Sequence, residues 1–139
     1  MRATAAWLVA ASAAIVLLLG LLHLAYTFRG PALWPRDREL RARMQQASPV
    51  ITRETTMWKA WVGFNASHSL GLVLFGAVYG DLALAHGDVL FRSAFLLALG
   101  MAALLGYVAL AARYFFRAPL AGVTLAAVLY ALALAARAA

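Results

Sequence analysis

The chain has 139 residues, of which 65% are hydrophobic and 12% are charged, and its formal net charge is +7. Soluble domains have nearly half apolar and about a quarter charged residues, so this composition excludes an ordinary soluble protein. The absence of cysteine excludes disulfides, thiolate metal sites and cysteine nucleophiles. The basic residues gather in one loop between apolar segments, which indicates anionic lipid head groups as their partner and argues against nucleic acid.

Apolar runs of about 20 residues predict a single all-α domain over residues 1–139, a polytopic four-transmembrane-helix bundle in a lipid bilayer. The first span covers residues 4–28. It begins like a signal peptide, but its apolar run is too long for one, so we expect a retained helix. The other three spans are predicted at residues 58–80, 91–116 and 120–136.

Residues 29–57 form the only long hydrophilic segment of the sequence. We expect this interfacial loop to carry a short amphipathic helix on the membrane surface, near residues 36–47. Two acid-before-base pairs at a spacing of four residues support that helix. They are Asp37 with Arg41 and Glu39 with Arg43.

The distribution of basic residues predicts the orientation of the chain. Arg2, Arg92 and Arg137 fall on the side of the termini, and the other nine of the 12 basic residues fall on the side of the long loop. The positive-inside rule then places the first loop in the cytoplasm and both termini outside. The Ala- and Arg-rich composition, with Lys59 as the only lysine, indicates a bacterial protein of the inner membrane.

Polar and aromatic side chains recur in and before the second span at steps of three and four residues, which places them on one helix face. They are Glu54, Trp58, Trp61, Asn65 and His68. Because polar groups at membrane depth are costly, such a cluster marks a candidate site. At a rise of about 1.5 Å per residue, side chains from the other spans reach a similar depth. They are His23, Tyr26, Tyr107 and Tyr130.

The favoured hypothesis is a pocket that binds, and could transform, a small amphiphilic or lipid-like molecule. Asn65, His68 and His23 would bind its polar end. The remaining lining would come from Trp58, Trp61, Tyr26, Tyr107 and Tyr130. Histidine titrates near neutral pH, so His68, His23 and Glu54 are also the candidates for proton transfer.

Two alternatives stay open. Two histidines on adjacent helices of a membrane bundle are chemically able to bind b-type haem, here His23 and His68, although no cofactor and no metal site is favoured. Polar side chains in transmembrane helices also hydrogen-bond across helices, which is expected of a structural or accessory subunit with a partner subunit or a second copy. No nucleophile elbow, phosphate loop or HExxH motif is present.

The segments GLLHLAYTFRGP (Gly20–Pro31) and ITRETTMWKAWVGFNASHSLG (Ile51–Gly71) contain the signatures HLxYTF and GFNxSH. With these signatures the chain resembles an uncharacterised family of small bacterial four-span integral membrane proteins. The resemblance implies a membrane protein and carries no assigned activity. A looser likeness to four-helix sterol isomerases is architectural, and no site residues transfer from it.

Overall fold

The computed structural model describes residues 2–138, which are 82% helical and contain no strand. The prediction of an all-α fold is therefore confirmed. Six helices follow one another along the chain. They are α1 (Arg2–Phe28), α2 (Arg38–Gln46), α3 (Met57–Leu84), α4 (Gly87–Arg92), α5 (Ala94–Tyr114) and α6 (Arg117–Ala138).

Four of these helices, α1, α3, α5 and α6, are long and apolar enough to cross a membrane. Only 22–33% of the most apolar 18-residue window of each helix is buried inside the protein. Apolar side chains therefore cover most of the outer face of each window. Contiguous apolar surface of this extent is unusual on a soluble protein and suggests a multi-pass membrane protein.

The boundaries of α1 and α3 follow from local capping. Gly30 follows α1 with a φ of +78°, a left-handed conformation that favours glycine and commonly ends helices. At the start of α3, the Thr56 Oγ1 atom accepts a hydrogen bond from the Lys59 N–H at 3.3 Å, as a helix N-cap does. The Met57 N–H donates to the Ala47 carbonyl oxygen at 2.8 Å, which closes residues 48–56 into a loop.

This boundary corrects one sequence-based prediction. Glu54 was expected on the same helix face as Trp58 and His68, but it lies three residues before α3 begins. Its N–H donates to the Thr52 Oγ1 atom at 3.1 Å in a local turn. The helical periodicity therefore does not extend to Glu54, because the Thr56 cap ends it.

The surface helix α2 forms within the predicted region, and one of its two predicted ion pairs is present. Arg43 pairs with Glu39, one turn earlier on the same helix. Asp37 instead caps α2, because its Oδ1 atom accepts the N–H of Glu39 at 2.8 Å and of Leu40 at 3.3 Å. Arg41, its expected partner, lies over the ring of Trp34.

The described residues divide into two compact units. Unit 1 comprises those of Met1–Leu19 and Leu72–Ala139, and unit 2 comprises Gly20–Gly71. The buried core of unit 1 is formed by segments of α1, α3, α5 and α6, with the short helix α4. Helices approach closely at Gly76, where an added Cβ atom would lie 2.7 Å from the Ala13 carbonyl oxygen.

Candidate functional site

Three of the predicted polar site residues of unit 2 come together between α1 and α3. The His23 Nε2 atom lies 2.9 Å from the Asn65 Oδ1 atom, and Asn65 is only 6% exposed. The imidazole rings of His23 and His68 are nearly perpendicular, with their centroids 5.4 Å apart. We call His23, Asn65 and His68 the polar cluster.

The second hydrogen bond of Asn65 determines the direction of the first. The Asn65 Nδ2 atom donates to the Trp61 carbonyl oxygen at 2.8 Å, so its Oδ1 atom is the acceptor that faces His23. His23 must then carry a proton on Nε2, since an amide oxygen can only accept. This nitrogen is therefore committed as a donor within the polar cluster.

The free space beside Asn65 is small. The cavity beside Asn65 has a volume of about 10 Å³, which is enough for about one water molecule. Its walls are Thr27, Leu33, Trp34, Trp58, Trp61, Val62 and Asn65. His68 stacks on the ring of Phe64, with an angle of 9° between the two ring planes. The cavity has no room for a lipid-sized ligand.

Trp61 and Trp58 connect α3 to the loop that follows α1. The Trp61 Nε1–H donates to the Leu33 carbonyl oxygen at 3.1 Å. Trp58 makes an edge-to-face contact with Trp34 at a centroid distance of 6.3 Å. Both tryptophans line the small cavity beside Asn65 and hold the loop in place, and their predicted role as walls of a ligand pocket stays a prediction.

The other predicted site residues lie elsewhere. Tyr26 is 49% exposed, and Glu54 is exposed in the loop before α3. Tyr107 and Tyr130 belong to unit 1. Tyr130 is fully buried there, and its hydroxyl donates to the Leu97 carbonyl oxygen at 3.3 Å. The packing of unit 1 thus accounts for Tyr130 without a ligand.

A larger open groove lies on unit 2 beside α2. Its volume is about 760 Å³, and we call it the arginine groove. It is lined by Pro31, Trp34, Pro35, Arg36, Arg38, Arg41, Ala42 and Gln45. The sequence-based predictions do not include this groove. A tryptophan between two prolines, next to an arginine-rich helix, is the sequence feature that indicates it.

Arg41 is the most enclosed charged group of the arginine groove. Its Cζ atom lies 3.4 Å from the ring centroid of Trp34 and 5.1 Å from that of Trp58. Stacking of guanidinium on tryptophan is favourable, and more so when the charge is partly desolvated. The Arg41 Nε atom is buried and has no hydrogen-bond partner among the described residues.

The geometry gives little support to haem or metal binding. An iron between two axial imidazoles, with metal–nitrogen bonds of about 2 Å, would hold the ring centroids roughly 6 Å apart or more. The 5.4 Å separation is shorter, and His23 Nε2 already donates to Asn65. Within residues 2–138, no three His, Cys, Asp or Glu side chains form a group that could hold a metal ion.

Comparison with known protein families, with curated proteins and with solved structures finds no match. The resemblance to the small four-span family therefore stays a prediction.

Proposed function

We propose that this chain is a multi-pass integral membrane protein that binds a small amphiphilic, lipid-like molecule in the arginine groove of unit 2. The observation that carries the proposal is the mixed lining of this groove. Four lining residues, Pro31, Trp34, Pro35 and Ala42, offer apolar surface, and the other four offer three guanidinium groups and an amide. A ligand that matches both halves has an apolar body and a polar end.

The size of the groove agrees with this proposal. Small-molecule sites typically have volumes of about 300–1,000 Å³, and the arginine groove has about 760 Å³. The cavity at the polar cluster, about 10 Å³, is too small for such a ligand. We therefore assign ligand binding to the groove, and to the polar cluster the role of joining α1 to α3.

The membrane part of the proposal rests on the four apolar helices and on the charge distribution. Four crossings, with nine of the 12 basic residues on the side of the long loop, favour a cytoplasmic first loop and external termini in a bacterial inner membrane. The groove residues Arg36 to Gln45 lie in that loop. The ligand would then be bound from the cytoplasmic face.

The proposal is limited to binding. Of the three candidates for proton transfer, Glu54 lies outside α3, and His23 is hydrogen-bonded to Asn65. His68 stacks on Phe64 and contacts His23. A base must lie within hydrogen-bond reach of its substrate, and neither histidine lines the arginine groove.

Mass spectrometry of the purified protein tests the proposal. We expect the wild-type chain, extracted in a mild detergent, to retain a stoichiometric amphiphile. Ala42→Trp fills the groove and should reduce retention at least about tenfold. Gln46→Trp adds the same ring on α2 outside the groove lining and should leave retention unchanged. Equal retention in the two variants, or no retained amphiphile in the wild type, would contradict the proposal.

A structural or accessory subunit is the second candidate, and the outer faces of the four apolar helices favour it. Large apolar side chains such as Trp7, Phe64 and Phe95 are at least 64% exposed and could contact a partner subunit or a second copy as well as lipid. Crosslinking in native membranes distinguishes the two candidates. A stoichiometric partner chain, without a retained amphiphile, would favour the accessory role.

A further inference from the structure

The charge of the arginine groove is unbalanced. Arg36, Arg38 and Arg41 line one groove, and none of its eight lining residues is acidic. The nearest acids in sequence have other partners, because Asp37 caps α2 and Glu39 pairs with Arg43. Three guanidinium groups around one space repel each other, and a bound anion would relieve that repulsion.

Arg41 supplies a second, independent observation. Buried polar groups almost always have a hydrogen-bond partner, and an exception requires an explanation. The Arg41 Nε–H is such an exception, since it is buried and unpartnered within the described chain. The rings of Trp34 and Trp58 restrict the guanidinium group, so its position beside the groove is set before any ligand arrives.

From these observations we infer that the arginine groove is an oxyanion site that binds a phosphate-bearing ligand through Arg36, Arg38 and Arg41. The planar guanidinium offers paired donors that match phosphate geometry, which a lysine ammonium does not. The inference rests on the proposed function and specifies the polar end of its ligand.

The groove is larger than one phosphate group needs, and this bears on the rest of the ligand. Beside the three arginines it offers the ring of Trp34 and the apolar surfaces of Pro31, Pro35 and Ala42. A phosphate ester with an apolar body would use both parts. The phosphate could belong to a lipid head group or to a soluble phosphate ester, and the experiment below separates these sources.

Isothermal titration calorimetry on the full chain in detergent micelles tests the inference with three probes. Dioctanoyl phosphatidic acid has both chains and phosphate, dioctanoylglycerol has the same chains without phosphate, and glycerol phosphate has phosphate without chains. We expect phosphatidic acid to bind at least about tenfold more tightly than either of the others. Dioctanoylglycerol lacks the phosphate that makes strong, charge-assisted hydrogen bonds, and glycerol phosphate lacks the chains that contact the apolar part of the groove.

Charge-matched variants identify the residues. The double variant Arg36→Gln/Arg38→Gln changes only exposed side chains and should weaken phosphatidic acid binding by at least about tenfold. Arg41→Gln should do the same, with circular dichroism and gel filtration to check its fold. Arg29→Gln/Arg53→Gln removes two charges from exposed loop positions outside the groove lining and should bind like the wild type.

Each outcome is decisive. Equal binding of phosphatidic acid and dioctanoylglycerol overturns the oxyanion inference but leaves the proposed function standing. Glycerol phosphate binding as tightly as phosphatidic acid supports the oxyanion site and overturns the lipid-like ligand. If Arg29→Gln/Arg53→Gln weakens binding as much as Arg36→Gln/Arg38→Gln, the attraction is general and the assigned residues are wrong. If none of the three probes binds, both proposals fail.

Discussion

The Nε2 atom of His23 on α1 lies 2.9 Å from the Oδ1 atom of Asn65 on α3, 42 residues further along the chain. This is a side-chain hydrogen bond between two helices of unit 2, and both helices are apolar enough to cross a membrane. The loop that carries the arginine groove connects these two helices. The hydrogen bond therefore fixes the relative position of the two ends of that loop.

A double-mutant cycle measures this hydrogen bond. We expect the pair His23→Ala and Asn65→Ala to show a coupling of about 0.6 kcal/mol, with about 1.7 kcal/mol as the upper end for such bonds in a membrane protein. The free energy of unfolding in mixed detergent micelles is the measurement. Ser67→Ala is the control, because the Ser67 hydroxyl bonds only to the Phe64 carbonyl of its own helix at an exposed position. Additive effects of the two substitutions would show that the bond contributes nothing.

Two glycines give a matched pair in unit 1. A Cβ atom at Gly76 would lie 2.7 Å from both the Ala13 carbonyl oxygen and the Leu17 backbone nitrogen, whereas one at Gly106 would meet nothing within 4 Å. Because backbone atoms cannot move aside cheaply, Gly76→Ala should lower the free energy of unfolding by about 1–3 kcal/mol. Gly106→Ala should leave it unchanged or raise it by up to about 1 kcal/mol. Equal stability of the two variants would contradict the close approach of α1 and α3.

The indole N–H of Trp61 is expected to hold the loop between α1 and α3 in place. Trp61→Phe keeps an aromatic ring but removes the pyrrole part of the indole, and with it the Nε1–H that donates to the Leu33 carbonyl oxygen. The loss of about 1 kcal/mol should open the loop about fivefold more often and speed tryptic cleavage between residues 29 and 56 accordingly. Trp7→Phe, at a position 68% exposed on α1, controls for the substitution itself. An unchanged cleavage rate would mean that other contacts hold the loop.

The orientation can be tested cleanly because the chain has no cysteine of its own. A cysteine at Ser48→Cys reports on the long loop, and one at Ala85→Cys reports on the connection after α3. With a membrane-impermeant maleimide, Ser48→Cys should react only from the cytoplasmic side and Ala85→Cys only from the opposite side. Labelling of both from the same side would show that α3 does not cross the membrane.

The long helices could be predicted from the sequence because the hydropathy that identifies them is averaged over many residues. Every residue of an apolar run contributes to the hydropathy, so single exceptions such as Asn65 or His68 do not hide α3. The proximity of His23 to Asn65 was also within reach, because counting residues from the common loop gives similar depths on two adjacent helices. The depth of a residue along a straight helix follows from its position in the sequence and does not depend on how the helices pack.

The loop was less predictable because its side chains have competing partners. At a spacing of four residues, Arg41 is expected to pair with Asp37, but Asp37 is also the best N-cap available to α2 and takes that role. Arg41 then stacks on Trp34, seven residues earlier. Likewise, the periodic pattern of the sequence reaches back to Glu54, because periodicity alone does not show that Thr56 caps the helix. The arginine groove depends on these choices of partner, so the sequence signal around Trp34 does not by itself predict it.

The hydrogen bond between the Met57 N–H and the Ala47 carbonyl oxygen brings the two ends of the loop 48–56 together. Lengthening such a loop costs little stability, because each doubling of its length adds only about 0.6 kcal/mol to the entropic cost of closing it. Its tip, Val50 and Ile51, is more than 90% exposed and is not part of the groove lining. An epitope or a fluorescent reporter inserted there would allow the protein to be followed in living cells.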